Sequence, residues 1–140
     1  MDIQLTDGGM FADDRGKLRF VNGFDFSGVK RFYQVENHRQ GFIRAWHGHK
    51  KEGKYVYVAN GTALLGAVPL DNPDAVPKKY VLTSEKPQVL WIPPNYANGF
   101  MNLEEGTIIL FFSTSTLEES KGDDIRFPYD KWSIWEEDYR

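Results

Sequence analysis

Apolar and polar positions alternate in short runs along the whole chain, and no stretch carries an apolar stripe at helical spacing over a useful length. The runs predict strands over residues 17–21, 30–35, 43–47, 54–58, 63–68, 79–82 and 89–92, and a strongly apolar strand over 107–113. Between them lie turn-forming segments: Gly8-Gly9, Asn22-Gly23, Gly41, Asn60-Gly61, the proline-bounded loop 69–77, Pro93-Pro94-Asn95 and Glu104-Glu105-Gly106. Short strands recurring at intervals of about ten residues predict an all-β antiparallel sandwich or barrel with little helix. The tail 125–140, rich in Trp, Tyr and acidic residues, predicts an irregular or short helical cap, with Trp132 and Trp135 spaced to cover the end of the sandwich. No linker or repeat divides the chain, so residues 1–140 read as one domain.

Composition narrows the chemistry. A chain of 140 residues, 41% hydrophobic and with 10 Phe, 7 Tyr and 4 Trp, is long enough to bury one core. It has no cysteine, which removes disulfides, thiol nucleophiles and thiolate metal sites, and makes the reducing cytoplasm the expected compartment. The net charge of −3, without a run of five like charges, offers no footprint for nucleic acid or an anionic membrane. An anionic ligand therefore requires a local cluster of cations. The start Met1-Asp2-Ile3-Gln4-Leu5 has neither a basic nor an apolar segment, and no run approaches the roughly 18 apolar residues of a membrane span, so a soluble protein is expected.

Two of the three histidines stand together in Arg44-Ala45-Trp46-His47-Gly48-His49-Lys50. On an extended strand, positions two apart share a face, so His47 and His49 point the same way and Gly48 leaves room on the other side. Such a pair reads either as a site or as two surface histidines on an edge strand. Strict alternation puts Arg44 on the face opposite His47, and a bulge is needed before both reach one ligand.

The surrounding spacing resembles the two signature motifs of the cupin superfamily. Gly41, five residues, His47-Gly48-His49, two residues, Glu52 and then Gly61 is similar to the first motif, though Glu52 stands one residue early. Pro87, five residues, Pro93-Pro94-Asn95, two residues, Asn98, three residues, Asn102 is similar to the second. The resemblance implies a jelly-roll barrel, the cupin-type double-stranded β-helix. A metal-binding cupin takes a third imidazole where this chain has Asn98, and an amide is a poor transition-metal ligand, so neither metal nor other cofactor is expected.

Within metal-free cupins, four segments carry a closer resemblance: Phe11-Ala12-Asp13-Asp14-Arg15-Gly16; Gln34-Val35-Glu36-Asn37-His38 with Arg44-Ala45-Trp46-His47; Gly53-Lys54; and Leu90-Trp91-Ile92-Pro93-Pro94-Asn95-Tyr96-Ala97-Asn98-Gly99-Phe100. Nearly the whole chain resembles the RmlC-like enzymes of nucleotide-sugar metabolism, the dTDP-4-dehydrorhamnose 3,5-epimerases and the dTDP-sugar 3,4-ketoisomerases. The ketoisomerase branch is matched best by Arg44 to Lys50 and by Asp124-Ile125-Arg126-Phe127-Pro128-Tyr129.

The resemblance implies an isomerase without cofactor, acting on a dTDP-4-keto-6-deoxyhexose for deoxysugar biosynthesis. A keto group acidifies its neighbouring carbons, so a neutral imidazole removes a proton there if the enolate oxygen is stabilised. The implied catalytic residues are His47 as base, His49 as its partner in a proton shuttle and Lys54 at the enolate. Arg15 and Arg44 would hold the diphosphate, and Asn37, Tyr96 and Asn98 would contact base or sugar. Aligning the late strand puts Phe111 where the epimerases carry the Tyr that returns a proton to the opposite face. Asp123, Asp124 and Glu136 are stand-ins for the carboxylate that orients the base. A sugar-nucleotide-binding cupin without turnover, and less so a metal-dependent cupin oxygenase, compete with this reading. Pairing through the N-terminal strands is expected to give a homodimer.

Overall fold

The computed structural model describes residues 1–136 and 139–140. Its strands are β1 (Gln4–Asp7), β2 (Gly9–Asp13), β3 (Gly16–Phe20), β4 (Arg31–Glu36), β5 (Ile43–His49), β6 (Lys54–Asn60), β7 (Thr62–Pro69), β8 (Lys78–Thr83), β9 (Gln88–Ile92), β10 (Tyr96–Asn102), β11 (Ile108–Ser113) and β12 (Ile125–Arg126). A short helix, α1 (Leu117–Lys121), lies between β11 and β12 and starts in a capping box of Thr116 and Glu119.

Two five-stranded antiparallel sheets face each other in the orders β1-β9-β6-β11-β4 and β12-β5-β10-β7-β8, and β2-β3 forms a separate hairpin. This is the all-β, RmlC-like cupin barrel the sequence predicts. Alternate residues of each strand point between the sheets. Val56, Val58, Leu90, Ile92, Ile109 and Phe111 from the first sheet meet Ala63, Leu65, Leu82 and Phe100 from the second. A second cluster lies on the outer face of the β12-β5-β10-β7-β8 sheet, where Trp46, Val68 and Ala97 pack under Trp132 and Trp135 of the tail. The two tail tryptophans therefore cover a sheet face rather than an end of the sandwich, and Trp46 packs beneath them, outside the barrel. Residues 137 and 138 of the expected tail cap lie outside the described residues.

All eight predicted strands form, with ends displaced by a few residues at most. β1, β2, β10 and β12 were not predicted. β10, which reads Tyr-Ala-Asn-Gly-Phe-Met-Asn, has low intrinsic strand preference, and its place is fixed by neighbours on both sides. A Cβ on Gly99 would lie 2.5 Å from the Ala45 Cβ, so this strand needs a glycine where β5 and the tail approach it.

Candidate active site

A cavity of about 410 Å3 opens between the sheets at one end of the barrel. Such a volume suits a small ligand. In the first sheet, Arg31, Ser113 and Lys54 lie opposite one another across β4, β11 and β6, and Tyr33, Phe111 and Val56 form the next inward row. In the second sheet, Asn98 pairs with His47 and Phe100 with Arg44. Helix α1, β12 and the turn between them add Ser120, Lys121, Asp124 and Arg126 to the lining.

The problem that strict alternation set for Arg44 is resolved by a bulge. Two residues of β10, Asn98 and Phe100, span three steps of β5, from His47 to Arg44. Ala45 and Trp46 both pack into the outer cluster, which returns Arg44 and His47 to the same inner face. His47 and His49 share that face, as their spacing predicts.

The two imidazoles differ in their surroundings. His47 is half-buried, and its ring has no hydrogen-bond partner among the described residues. Burial, and then the charges of Lys54 and Arg126, lower its pKa from the ordinary 6.5, opposed by Asp124. It is therefore neutral and free to accept a proton at pH 7. His49 is buried, with Nδ1 2.7 Å from the Asp123 carbonyl and Nε2 3.1 Å from the Glu52 carboxylate.

Lys54 is buried, its pKa is lowered mainly by burial, and Glu52 opposes that shift. Arg31 donates to Glu52 at 3.1 Å, stands over the Tyr33 ring at 5.0 Å, and has a buried Nε without a partner among the described residues. Arg31, Arg44, Lys54, Lys121 and Arg126 supply the local cationic cluster that the net charge withholds. Tyr33 stacks on Phe111 at 5.0 Å, and burial first, then the charge of Glu52, raise its pKa, so the phenol keeps its proton.

Asn98 lines the cavity while donating to the His47 carbonyl at 3.3 Å. Three expected binding residues do not line it. Arg15 sits in the β2-β3 hairpin, which pairs with no other strand, and is exposed and paired with Asp13. Asn37 is engaged by its own neighbours: Arg44 Nε donates to its Oδ1 at 2.7 Å, and its amide donates to Asn102 at 3.0 Å. It holds the Arg44 guanidinium. Tyr96 packs against the barrel core, where its phenol feels the charges of Asp2 and Asp71.

Of the stand-in carboxylates, Asp124 lines the cavity, Asp123 accepts from the N–H groups of Lys50, Lys51 and Glu52, and Glu136 is exposed. Arg31, Tyr33, Lys121 and Arg126 escaped sequence reasoning. For the first two a signal existed, since Arg31, Tyr33 and Val35 alternate on one face of β4. Among the described residues no three His, Asp or Glu side chains come together as a metal site.

The model of the family described as dTDP-4-dehydrorhamnose 3,5-epimerase matches residues 2–135. The chain belongs to this family. Among solved structures, the chain is similar to a dTDP-4-dehydrorhamnose 3,5-epimerase from Sulfolobus tokodaii, at 28% identity and a TM-score of 0.77, covering 94% of this chain and 80% of that one. It is also similar to QdtA, a sugar 3,4-ketoisomerase from Thermoanaerobacterium thermosaccharolyticum in complex with TDP, at 25% identity and a TM-score of 0.71, covering 91% and 89%. A 3,4-ketoisomerase from Helicobacter canadensis shares the fold at 21% identity and a TM-score of 0.71, covering 94% of both chains. No curated protein sequence matches the chain. The family member is thus an isomerase-type cupin, and no helix among the described residues is long and apolar enough to cross a membrane.

Proposed function

We propose that the chain enolises a dTDP-4-keto-6-deoxyhexose and returns the proton to give a 3- or 5-epimer or the 3-keto isomer. The observation that carries this reading is His47, a neutral imidazole whose ring nitrogens have no partner among the described residues, facing cations and a phenol from the opposite sheet across one cavity. His47 takes the proton from the carbon beside the ketone. The Lys54 ammonium, in a site of low dielectric, balances the negative charge that develops on the ketone oxygen. Arg31, Arg44 and Arg126 hold the diphosphate by charge-assisted hydrogen bonds. Arg15 has no part in this within one protomer.

The two outcomes share the first step and differ in where the proton returns. Ketoisomerisation returns the proton that His47 took from C3 to C4 on the same face, while the oxygen at C4 gains a proton and the C3 hydroxyl gives one up. Epimerisation needs an acid on the other face, and Tyr33 supplies a protonated hydroxyl beside Phe111, from the sheet opposite His47. Incubation with dTDP-4-keto-6-deoxyglucose in deuterium oxide, followed by NMR, tests the reading. Deuterium at C3 or C5 with inverted configuration marks an epimerase, and a 3-keto product marks a ketoisomerase. TDP binding with neither exchange nor product overturns turnover and leaves a binding module.

The protein acts in the cytoplasm as a homodimer in this reading. Phe26 and Phe32 are 61% and 68% exposed beside the outer face of the β1-β9-β6-β11-β4 sheet, and Phe11 and Leu18 are 61% and 63% exposed on the hairpin. Apolar surface of this kind favours self-association. Light scattering on the eluting protein gives a dimer mass; a monomer overturns the assignment.

A further inference from the structure

The loop between β4 and β5, residues 37–42, is tied to the end of β10 and the turn that follows it. The Gly41 N–H donates to the Asn102 carbonyl at 2.9 Å, the Gln40 N–H to the Glu105 carboxylate at 2.9 Å, and the Gln40 side-chain amide to the Leu103 carbonyl at 2.7 Å. Asn102 is buried in this seam, and its Nδ2 donates to the carbonyls of Arg39 at 2.9 Å and of Glu104 at 3.2 Å.

These contacts give the side-chain amides a direction. A main-chain carbonyl only accepts, so the NH2 end of Asn102 faces Arg39 and Glu104, and its Oδ1 is left to accept. Asn37 Nδ2 donates to that oxygen at 3.0 Å and to the Phe42 carbonyl at 3.4 Å. Asn37 therefore turns its own Oδ1 away from them, where Arg44 Nε donates to it at 2.7 Å. The Arg44 guanidinium also stands 5.9 Å from the centre of the Phe42 ring. Its Nη1 and Nη2 groups have no hydrogen-bond partner among the described residues, and Arg44 lines the cavity. A guanidinium held by Nε meets a ligand with its end, through the Nη1–Nη2 pair, which matches two oxygens of a phosphate or diphosphate.

We propose that Asn37 is a positioning residue: with its amide oriented by Asn102, it holds Arg44 by Nε and so presents the terminal fork of the guanidinium to the diphosphate. Asn37 thus acts on the nucleotide through Arg44, from outside the cavity lining. The binding part of this inference rests on the nucleotide-sugar reading; the hold on Arg44 does not.

The test uses the full chain, with calorimetric titration of TDP and 15N NMR of the Arg44 Nε–H. Arg44→Ala should weaken TDP binding about 10- to 100-fold and Asn37→Ala about 3- to 10-fold. In the Arg44→Ala background, Asn37→Ala should weaken it less than about twofold, because the group through which Asn37 acts is gone. Arg44→Lys keeps the charge but has neither Nε–H nor fork, and should bind TDP about 10-fold more weakly than the wild type. Exchange of the Arg44 Nε–H with water should be about 10-fold faster in Asn37→Ala, and Asn37→Asp, which keeps the accepting oxygen, should restore the slow rate. On a 4-keto sugar nucleotide, Asn37→Ala should raise KM by more than it lowers kcat. An equal loss from Asn37→Ala with and without Arg44, an unchanged Nε–H exchange rate, or wild-type affinity in Arg44→Lys overturns the proposal. If the wild type binds no TDP, the nucleotide-sugar reading fails, and the exchange rates still decide whether Asn37 holds Arg44. If Asn37→Ala does not fold, Arg44→Lys decides the fork, and Nε–H exchange in the wild type and Asn37→Asp decides the hold.

Discussion

The two ends of the barrel interior are built from the same strands and do opposite work. Along β6 the inward residues are Lys54, Val56 and Val58, and along β11 they are Ser113, Phe111 and Ile109. One end is a polar cavity with a buried ammonium, carboxylate and imidazole; the other is closed by aliphatic side chains. Buried charges of the cavity are costly to hold. Apolar packing a few residues along each strand supplies the stability that tolerates them. Catalytic and structural substitutions should therefore separate cleanly between the two ends.

The sharpest break is expected from His47→Asn. Loss of the base should lower kcat about 10²- to 10⁴-fold with an unchanged melting temperature, because the ring makes no hydrogen bond to the fold among the described residues. Steady-state kinetics beside thermal unfolding checks both halves. In the wild type, the acid limb of kcat/KM should fall below pH 6.5, since burial and neighbouring cations lower the pKa of the base.

Leu82→Ala probes the closed end, where Leu82 pairs with Ala63 and Ala63 with Asn102. Leu82 is buried, and removing its side chain should cost roughly 2–5 kcal/mol in chemical denaturation while KM stays within about twofold. A catalytic loss as large as that of His47→Asn would show that the two ends are not independent.

A smaller effect is expected from Asp123→Ala, at the edge between cavity and surface. Its carboxylate accepts from the backbone of Lys50 and Lys51 at 2.8 Å and of Glu52 at 3.1 Å, and its loss should cost about 1–2 kcal/mol. Burial raises the pKa of Asp123, but these three bonds outweigh it and lower the pKa from the ordinary 3.8. The stabilisation is thus present above pH 3.8 and is lost as pH falls toward the lowered value. Urea unfolding of wild type and variant should converge in acid; a constant difference down to pH 2 would contradict the assignment.

The alternation of apolar residues in β4, β6, β7, β9 and β11 was enough to predict these strands and the barrel, because a period of two is a local property of the chain. The pairing of His47 with His49 was legible for the same reason. Three things were not. β10 is held by its neighbours despite a sequence poor in strand formers, so only its partners reveal it. The bulge in β5 reverses the side of Arg44, and a register shift depends on the facing strand. Glu52 meets Arg31 and Ser113 through sequence separations of 21 and 61 residues, which no local pattern records.

The sequence by itself determined the class of fold, the face shared by the histidines and the need for a local cluster of cations. Tertiary structure decided which of the two imidazoles is free and which cations surround it, and it excluded Arg15, Asn37 and Tyr96 from the cavity of the protomer. The reason is physical: periodicity fixes the side of a strand on which a residue lies. Protonation and binding depend on distances to groups brought in from other strands.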